Sequence, residues 1–145
     1  ENILKDQLIE YGRIIDKVFI GKEDSEKQHH LKGEKTHTGG PGSWRDASDG
    51  GWFSYTMKVD PDHPMELVLT YLSTDGGNRE FDILVDGKKI GEQKLRPETF
   101  SALIDKAYPI PAELIKGKTV VTVKVQALPG MIAGGIFGCR IQKQK

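Results

Sequence analysis

The sequence predicts an all-β protein, an antiparallel β-sandwich or jelly roll. Three observations carry that prediction. Apolar and polar residues alternate in seven or eight short runs, turn signals rich in Gly, Pro, Asp and Asn separate the runs, and no long helical pattern intervenes. No internal repeat or low-complexity tract competes with it. At 145 residues the chain fits one domain, long enough to bury roughly two thirds of its unfolded surface without cross-links.

Residues 1–15 read as an amphipathic helix or linker. Leu4, Leu8, Tyr11 and Ile15 recur at helical spacing between Lys5, Asp6, Glu10 and Arg13, and Gly12 shortens or frays the helix. Its apolar stripe needs a cover, either the sandwich or a domain outside this sequence. Residues 16–145 are assigned to a single sandwich domain. Between Gly21 and Gly51 the apolar periodicity nearly vanishes, leaving histidine, glycine, lysine and threonine around Leu31, Trp44 and the start of the next run. This reads as a long loop with short edge strands. Long irregular loops in compact domains are commonly functional or pinned by specific contacts, so it is the first place to look for a site.

After Gly51 the period becomes two. Phe53, Tyr55, Met57 and Val59 face one way and Trp52, Ser54, Thr56 and Lys58 the other, the pattern of a half-buried strand. Pro61 and Pro64 force a turn, Leu67, Leu69 and Tyr71 continue the inward set, and Asp75-Gly-Gly-Asn78 supplies a loop. Phe81, Ile83 and Val85 lead to Asp86-Gly87, a dipeptide that suits a two-residue hairpin because both positions tolerate positive φ. Lys88 to Leu95 is the return strand. A strand over Phe100 to Tyr108 ends at Pro109 and Pro111, where Pro111-Ala-Glu-Leu-Ile allows about one helical turn. Val121, Val123 and Val125 alternate with Thr122, Lys124 and Gln126, and Phe137, Cys139 and Ile141 alternate again after a glycine-rich stretch.

The composition narrows the function classes. Lysine plus arginine, at 21, equals aspartate plus glutamate, at 21, so no global field draws the molecule to nucleic acid or an anionic membrane, and neither is expected as a partner. No apolar run approaches the roughly 20 residues of a membrane span. The single cysteine, Cys139, excludes an internal disulfide and a cysteine-rich zinc site but leaves the compartment open. Alternating with Phe137 and Ile141, it reads as a small buried hydrophobe. The chain starts at Glu1 with no basic start or cleavage pattern, which reads as an excised domain or a processed product.

Trp44 and Trp52 are the leading candidates for binding. An indole face packs well on the C–H face of a sugar ring, and Arg45, Asp46 and Glu34 stand near enough in sequence to orient its hydroxyls. Both rings would equally suit closing the end of the core; Trp52, on the outward face of its strand, is the harder to explain that way. Arg45 and Asp46 join Asp75 and Arg79 in one polar cluster if strand order brings their segments together, either for vicinal diols or as a loop-pinning salt bridge. His29, His30 and His37 invite a metal reading, but His29 and His30, adjacent on an extended chain, point to opposite sides and do not readily share one ion, and no helical spacing of ligands is present. Calcium through Glu34, Asp46, Asp49 or Asp75 has the hard oxygen donors it requires, but no spacing matches a dedicated loop, and no cofactor is expected. No recognisable carboxylate pair, serine triad or phosphate cradle is present.

Several ordered segments together resemble a known domain. They are Asp24-Ser-Glu-Lys-Gln-His-His-Leu-Lys-Gly-Glu-Lys-Thr-His-Thr-Gly, Trp44-Arg-Asp-Ala, Gly51-Trp-Phe-Ser-Tyr, Phe81-Asp-Ile-Leu-Val-Asp-Gly and Ala133-Gly-Gly-Ile-Phe-Gly-Cys-Arg-Ile. They resemble the C-terminal β-sandwich of bacterial family 127-like glycoside hydrolases of the β-L-arabinofuranosidase type, over about Asp16 to Ile141. The resemblance implies a galactose-binding-like jelly roll beside a helical catalytic barrel. It implies a catalytic cysteine and a zinc site of further cysteines in that barrel, and a periplasmic or secreted parent. One cysteine cannot supply that site, so hydrolysis does not carry over to this chain. The expected role is a non-catalytic accessory domain packing on the parent's catalytic domain or a second subunit. The alternative is a carbohydrate-binding module holding an oligosaccharide through the loop tryptophans.

Overall fold

The computed structural model describes residues 4–5, 11–40 and 43–145. Of the expected N-terminal helix, residues 4–5 and 11–13 are helical, Ile14 and Ile15 already belong to a strand, and the rest lies outside the described residues. In chain order the elements are β1 (Ile14–Val18), α1 (Glu23–Gln28), β2 (Lys32–Gly39), β3 (Trp44–Lys58), β4 (Met65–Leu72), β5 (Glu80–Val85), β6 (Lys88–Lys94), β7 (Leu103–Ile110), α2 (Ala112–Ile115), β8 (Val120–Ala127), β9 (Ala133–Ile136) and β10 (Gly138–Lys143). They form two antiparallel sheets. One runs β1-β10-β4-β7, and the other runs β2-β3-β8-β5-β6 with β9 also paired to β3. This is the predicted antiparallel sandwich of jelly-roll, galactose-binding-like form.

The inner faces are those the period of two marks. Phe53, Tyr55 and Met57 of β3, Leu67, Leu69 and Tyr71 of β4, Phe81, Ile83 and Val85 of β5, and Val121, Val123 and Val125 of β8 are all buried. Each such apolar side chain contributes about 1.5–3 kcal/mol by leaving water, which is why these alternating residues set the register of both sheets. At one edge, Tyr71 and Tyr108 share a hydrogen bond of 2.7 Å and the Tyr108 hydroxyl donates to Gln93 at 2.8 Å, tying the sheets together. The β5–β6 turn has Asp86 at φ 48° and Gly87 at φ 80°, as the Asp-Gly signal requires. α2 is the helical turn expected after Pro111.

Two expectations are corrected. The stretch from Gly21 to Gly51 is not a long loop: it contains α1, β2 and the first half of β3, and Trp44 begins a strand. Regular structure survives without apolar alternation because β2 is exposed along most of its length and pairs through its backbone with β3. The register jumps between Glu34↔Trp52 and Thr36↔Ala47, so residues 48–51 bulge out of the ladder. Gln126 donates from Nε2 to the Gly50 carbonyl at 2.7 Å and holds the bulge. Phe137 is also displaced from the core strand assigned to it, lying half-buried between β9 and β10.

Candidate functional site

The segment 24–29, whose histidines and acids invite a ligand reading, is instead a latch inside the fold. Ser25 accepts the Phe19 backbone N–H on Oγ at 2.9 Å. His29 places Nε2 2.9 Å from Asp16 and Nδ1 2.7 Å from the Ser25 carbonyl. Glu26 is buried and receives Arg45 through two bonds, Nε to Oε2 at 2.8 Å and Nη2 to Oε1 at 3.0 Å, with the Tyr55 hydroxyl donating at 2.6 Å. Burial opposes the Glu26 charge, but the hydrogen bonds from Arg45 and Tyr55 outweigh it and hold the carboxyl below its ordinary range. Burial, together with the carboxylate beside it, pushes the Tyr55 hydroxyl far above its usual value, so it stays a donor. The third Arg45 nitrogen, Nη1, donates to Thr36 Oγ1 at 2.9 Å. All three guanidinium nitrogens are therefore occupied inside the protein.

Arg45 turns inward because β3 alternates; its neighbours Trp44 and Asp46 turn the other way, into a cleft of about 200 Å³ lined with Leu72, Asp75, Arg79, Gly135 and Phe137. Three elements bring these groups together. β3 supplies Trp44 and Asp46, the former opposite Gly39 in β2 and the latter opposite His37. The indole lies across Gly39 so closely that a β-carbon there would fall 2.1 Å from a ring atom. The β4–β5 loop supplies Asp75, whose N–H bonds the Leu72 carbonyl at 3.0 Å, and Arg79. The segment after β9 supplies Phe137.

Gly134 and Gly135 have separate roles in this geometry. Gly134 sits at φ 105°, and a β-carbon there would meet the Arg45 carbonyl oxygen at 2.8 Å; only glycine fits such a backbone. Its own carbonyl accepts Arg79 Nη1 at 2.8 Å, which aims the guanidinium while leaving its other donors without a protein partner among the described residues. Gly135 keeps the middle of the cleft clear: a β-carbon there would lie 3.6 Å from Phe137, 3.7 Å from Trp44 and 3.8 Å from Asp75. Asp46 is met by His37 Nδ1 at 3.3 Å. The cleft thus offers two aromatic rings, two carboxylates and a partly occupied arginine.

Of the residues singled out in the sequence, Trp44, Asp46, Asp75 and Arg79 meet here; Arg45, Trp52 and Glu34 do not. Trp52 pairs with Glu34 and Gln126 across the ladder, and Lys124 Nζ sits 4.4 Å from the centre of its ring. Phe137, Leu72 and Gly135 were missed as site residues. The Gly-Gly-x-Phe-Gly run, an aromatic flanked by glycines, carried the signal for Phe137. Among the described residues no group of three or more His, Cys, Asp or Glu side chains is placed to hold a metal ion. Cys139 is buried, and burial pushes its thiol up to about 12. No helix among the described residues is long and apolar enough to cross a membrane.

The fold is similar to that of a family 35 carbohydrate binding module from Clostridium thermocellum, with a TM-score of 0.57 and 10% identity over 88% of this chain and 98% of that one. It is similar to the C-terminal CBM6 of LamC, a marine laminarinase from Zobellia galactanivorans, at a TM-score of 0.55 and 14% identity over 88% and 98% of the two chains. A GH115 4-O-methyl-α-glucuronidase, BtGH115A, shares the fold over 77% of this chain and 16% of its own, at a TM-score of 0.51 and 11% identity. At these identities the likeness is one of fold. Among curated proteins no sequence matches. The model of one family matches residues 11–142, and the chain belongs to that family, described as a family of unknown function (DUF6805).

Proposed function

We propose that this domain is a carbohydrate-binding module and that its site is the cleft between Trp44 and Phe137. The observation that carries the reading is the convergence of two aromatic rings with Asp46, Asp75 and Arg79 on one cleft of about 200 Å³. That is below the roughly 300–1,000 Å³ of pockets for drug-sized ligands and suits a single sugar ring. An aromatic face takes the C–H side of the ring, the carboxylates accept from its hydroxyls, and the spare Arg79 donors bond a ring or hydroxyl oxygen. Similarity of fold to carbohydrate-binding modules supports this reading.

The segments resembling family 127-like hydrolases extend the proposal: the domain accompanies a catalytic barrel and keeps it near its glycan, without catalysing the reaction itself. Similarity of fold to carbohydrate-binding modules supports the binding reading over the assembly role expected from the sequence, whose stripe residues Leu4 and Tyr11 are exposed. A glycan array probed with the isolated chain, followed by calorimetry against arabinose-containing and galactose-containing oligosaccharides with and without calcium, tests the proposal. Saturable binding is expected; silence from a folded sample would return the case to a structural role.

A further inference from the structure

We propose that the ligand of the Trp44 cleft continues over Phe137 into a basic groove, where an anionic sugar unit, carboxylated or sulfated, is held by Lys17 and Lys22. The proposal rests on the carbohydrate reading of the cleft and names the chemistry of the unit next to the one bound there. Phe137 is a wall of both spaces: it lines the cleft on one side and, on the other, a groove of about 500 Å³ that includes Lys17, Phe19, Lys22, Leu103 and Arg140.

The ladder makes the two spaces neighbours. Leu72 belongs to the cleft and Thr70 to the groove; two residues along β4 separate them by about 7 Å. Thr70 pairs with Gly138, and Lys17 pairs with Arg140, so β1, β10 and β4 form one continuous floor. A chain of sugars leaving the cleft by Phe137 runs onto that floor.

The sign of the charge changes across Phe137. In the cleft, Asp46 and Asp75 face a single arginine, an arrangement that repels an anion and suits a neutral polyol. In the groove Arg140 is matched by Asp105 at 3.2 Å, but Lys17 and Lys22 have no carboxylate partner among the described residues. Lys17 Nζ stands 5.1 Å from the centre of the Phe19 ring. Phe19 is 56% exposed and Leu103 60% exposed, so an aromatic face and an apolar wall stand beside two free ammonium groups. An acidic sugar presents the matching pair of surfaces, a C–H face and a negative charge.

The test uses the full chain and four polymers: a glucuronate-bearing arabinogalactan and its carboxyl-reduced form, and a sulfated galactan and its desulfated form. Affinity electrophoresis or calorimetry is run on the wild type, the double variant Lys17→Ala/Lys22→Ala, and Trp44→Ala. Removing the anion should weaken wild-type binding about 3- to 10-fold at low salt, the sum of two exposed ion pairs. The double variant should bind the charged and neutral forms alike, and high salt should erase the wild-type preference. The pair of polymers that shows the preference tells carboxylate from sulfate. Equal wild-type binding of charged and neutral forms overturns the groove proposal, and so does a preference that survives the lysine changes; in either case binding lost in Trp44→Ala leaves the cleft reading standing. Anion binding untouched by Trp44→Ala but lost with the lysines overturns the shared ligand and points to a separate acidic partner. No binding of any polymer by folded protein overturns both readings. Lys17 and Lys22 are exposed, so the double variant should keep the wild-type melting temperature, which a melt on each sample verifies.

Discussion

Trp44, Arg45 and Asp46 are consecutive on β3 yet serve two chemically opposite regions. Arg45 enters the interior, where Glu26 and Thr36 occupy all of its nitrogens and Tyr55 donates to the same Glu26 carboxylate. Trp44 and Asp46 enter the open cleft with Arg79, which is anchored by one nitrogen and retains the others. Each region contains an arginine facing carboxylate groups, one in the interior and two in the cleft. The difference lies in how completely the protein satisfies the groups. A saturated buried pair gives geometry, and an incompletely satisfied, partly open one can exchange water for a ligand. Residue type alone therefore does not single out a candidate binding arginine; its remaining donors do.

The largest effect that sharpens this contrast comes from the saturated region. Glu26→Gln leaves Arg45 buried without its counter-charge and should lower stability by about 3–5 kcal/mol, measured by denaturant melts. A loss under 1 kcal/mol would mean that water reaches the pair. The penalty should depend on pH. The Glu26 carboxyl is held below its ordinary value of 4.5 in the folded protein, so its contribution is full above that value and fades as pH falls through the folded one. Wild type and variant should converge in stability in acid and separate toward neutrality. Tyr55→Phe, which removes one donor from the same carboxylate, should cost about 1.5–3 kcal/mol.

The open region should respond in the other observable. Asp75→Asn or Asp46→Asn weakens an acceptor that the proposed function assigns to a sugar hydroxyl, and calorimetry should show a drop of about 3- to 10-fold in affinity with an almost unchanged melting temperature. The smallest effect belongs to Trp52→Ala. It removes the contact between two half-buried side chains, Trp52 and Lys124, worth about 1 kcal/mol, and should leave glycan affinity alone. If Trp52→Ala abolishes binding, the site lies on the sheet face beside Glu34 and not in the cleft.

The two regions were unequally legible in the sequence. The inner faces of β3, β4, β5 and β8 could be read directly, because one period-two pattern records both strand and burial. The Asp86-Gly87 turn was equally plain. β2 was not, since an exposed strand held by its backbone leaves no apolar alternation to read, and Trp44 was placed in a loop for the same reason. Pairing Asp46 with Asp75 and Arg79 needed only the guess that strand order joins their segments. The sequence could not show that Arg45 leaves that group, because its partner Glu26 lies 19 residues away on a short helix whose orientation depends on the tertiary fold. Phe137 was assigned to the core by alternation with Cys139; the break between β9 and β10 gives it a different direction.

The most direct test of the central claim is a paired measurement on Trp44→Ala and wild type: calorimetric titration with an oligosaccharide that the wild type binds, and a thermal melt of the same samples. The account predicts a loss of at least about 30-fold in affinity, as for a central aromatic anchor, with stability lowered by only about 1 kcal/mol. Retained affinity in a folded variant would contradict it, as would a loss of binding that comes only with collapse of the melt.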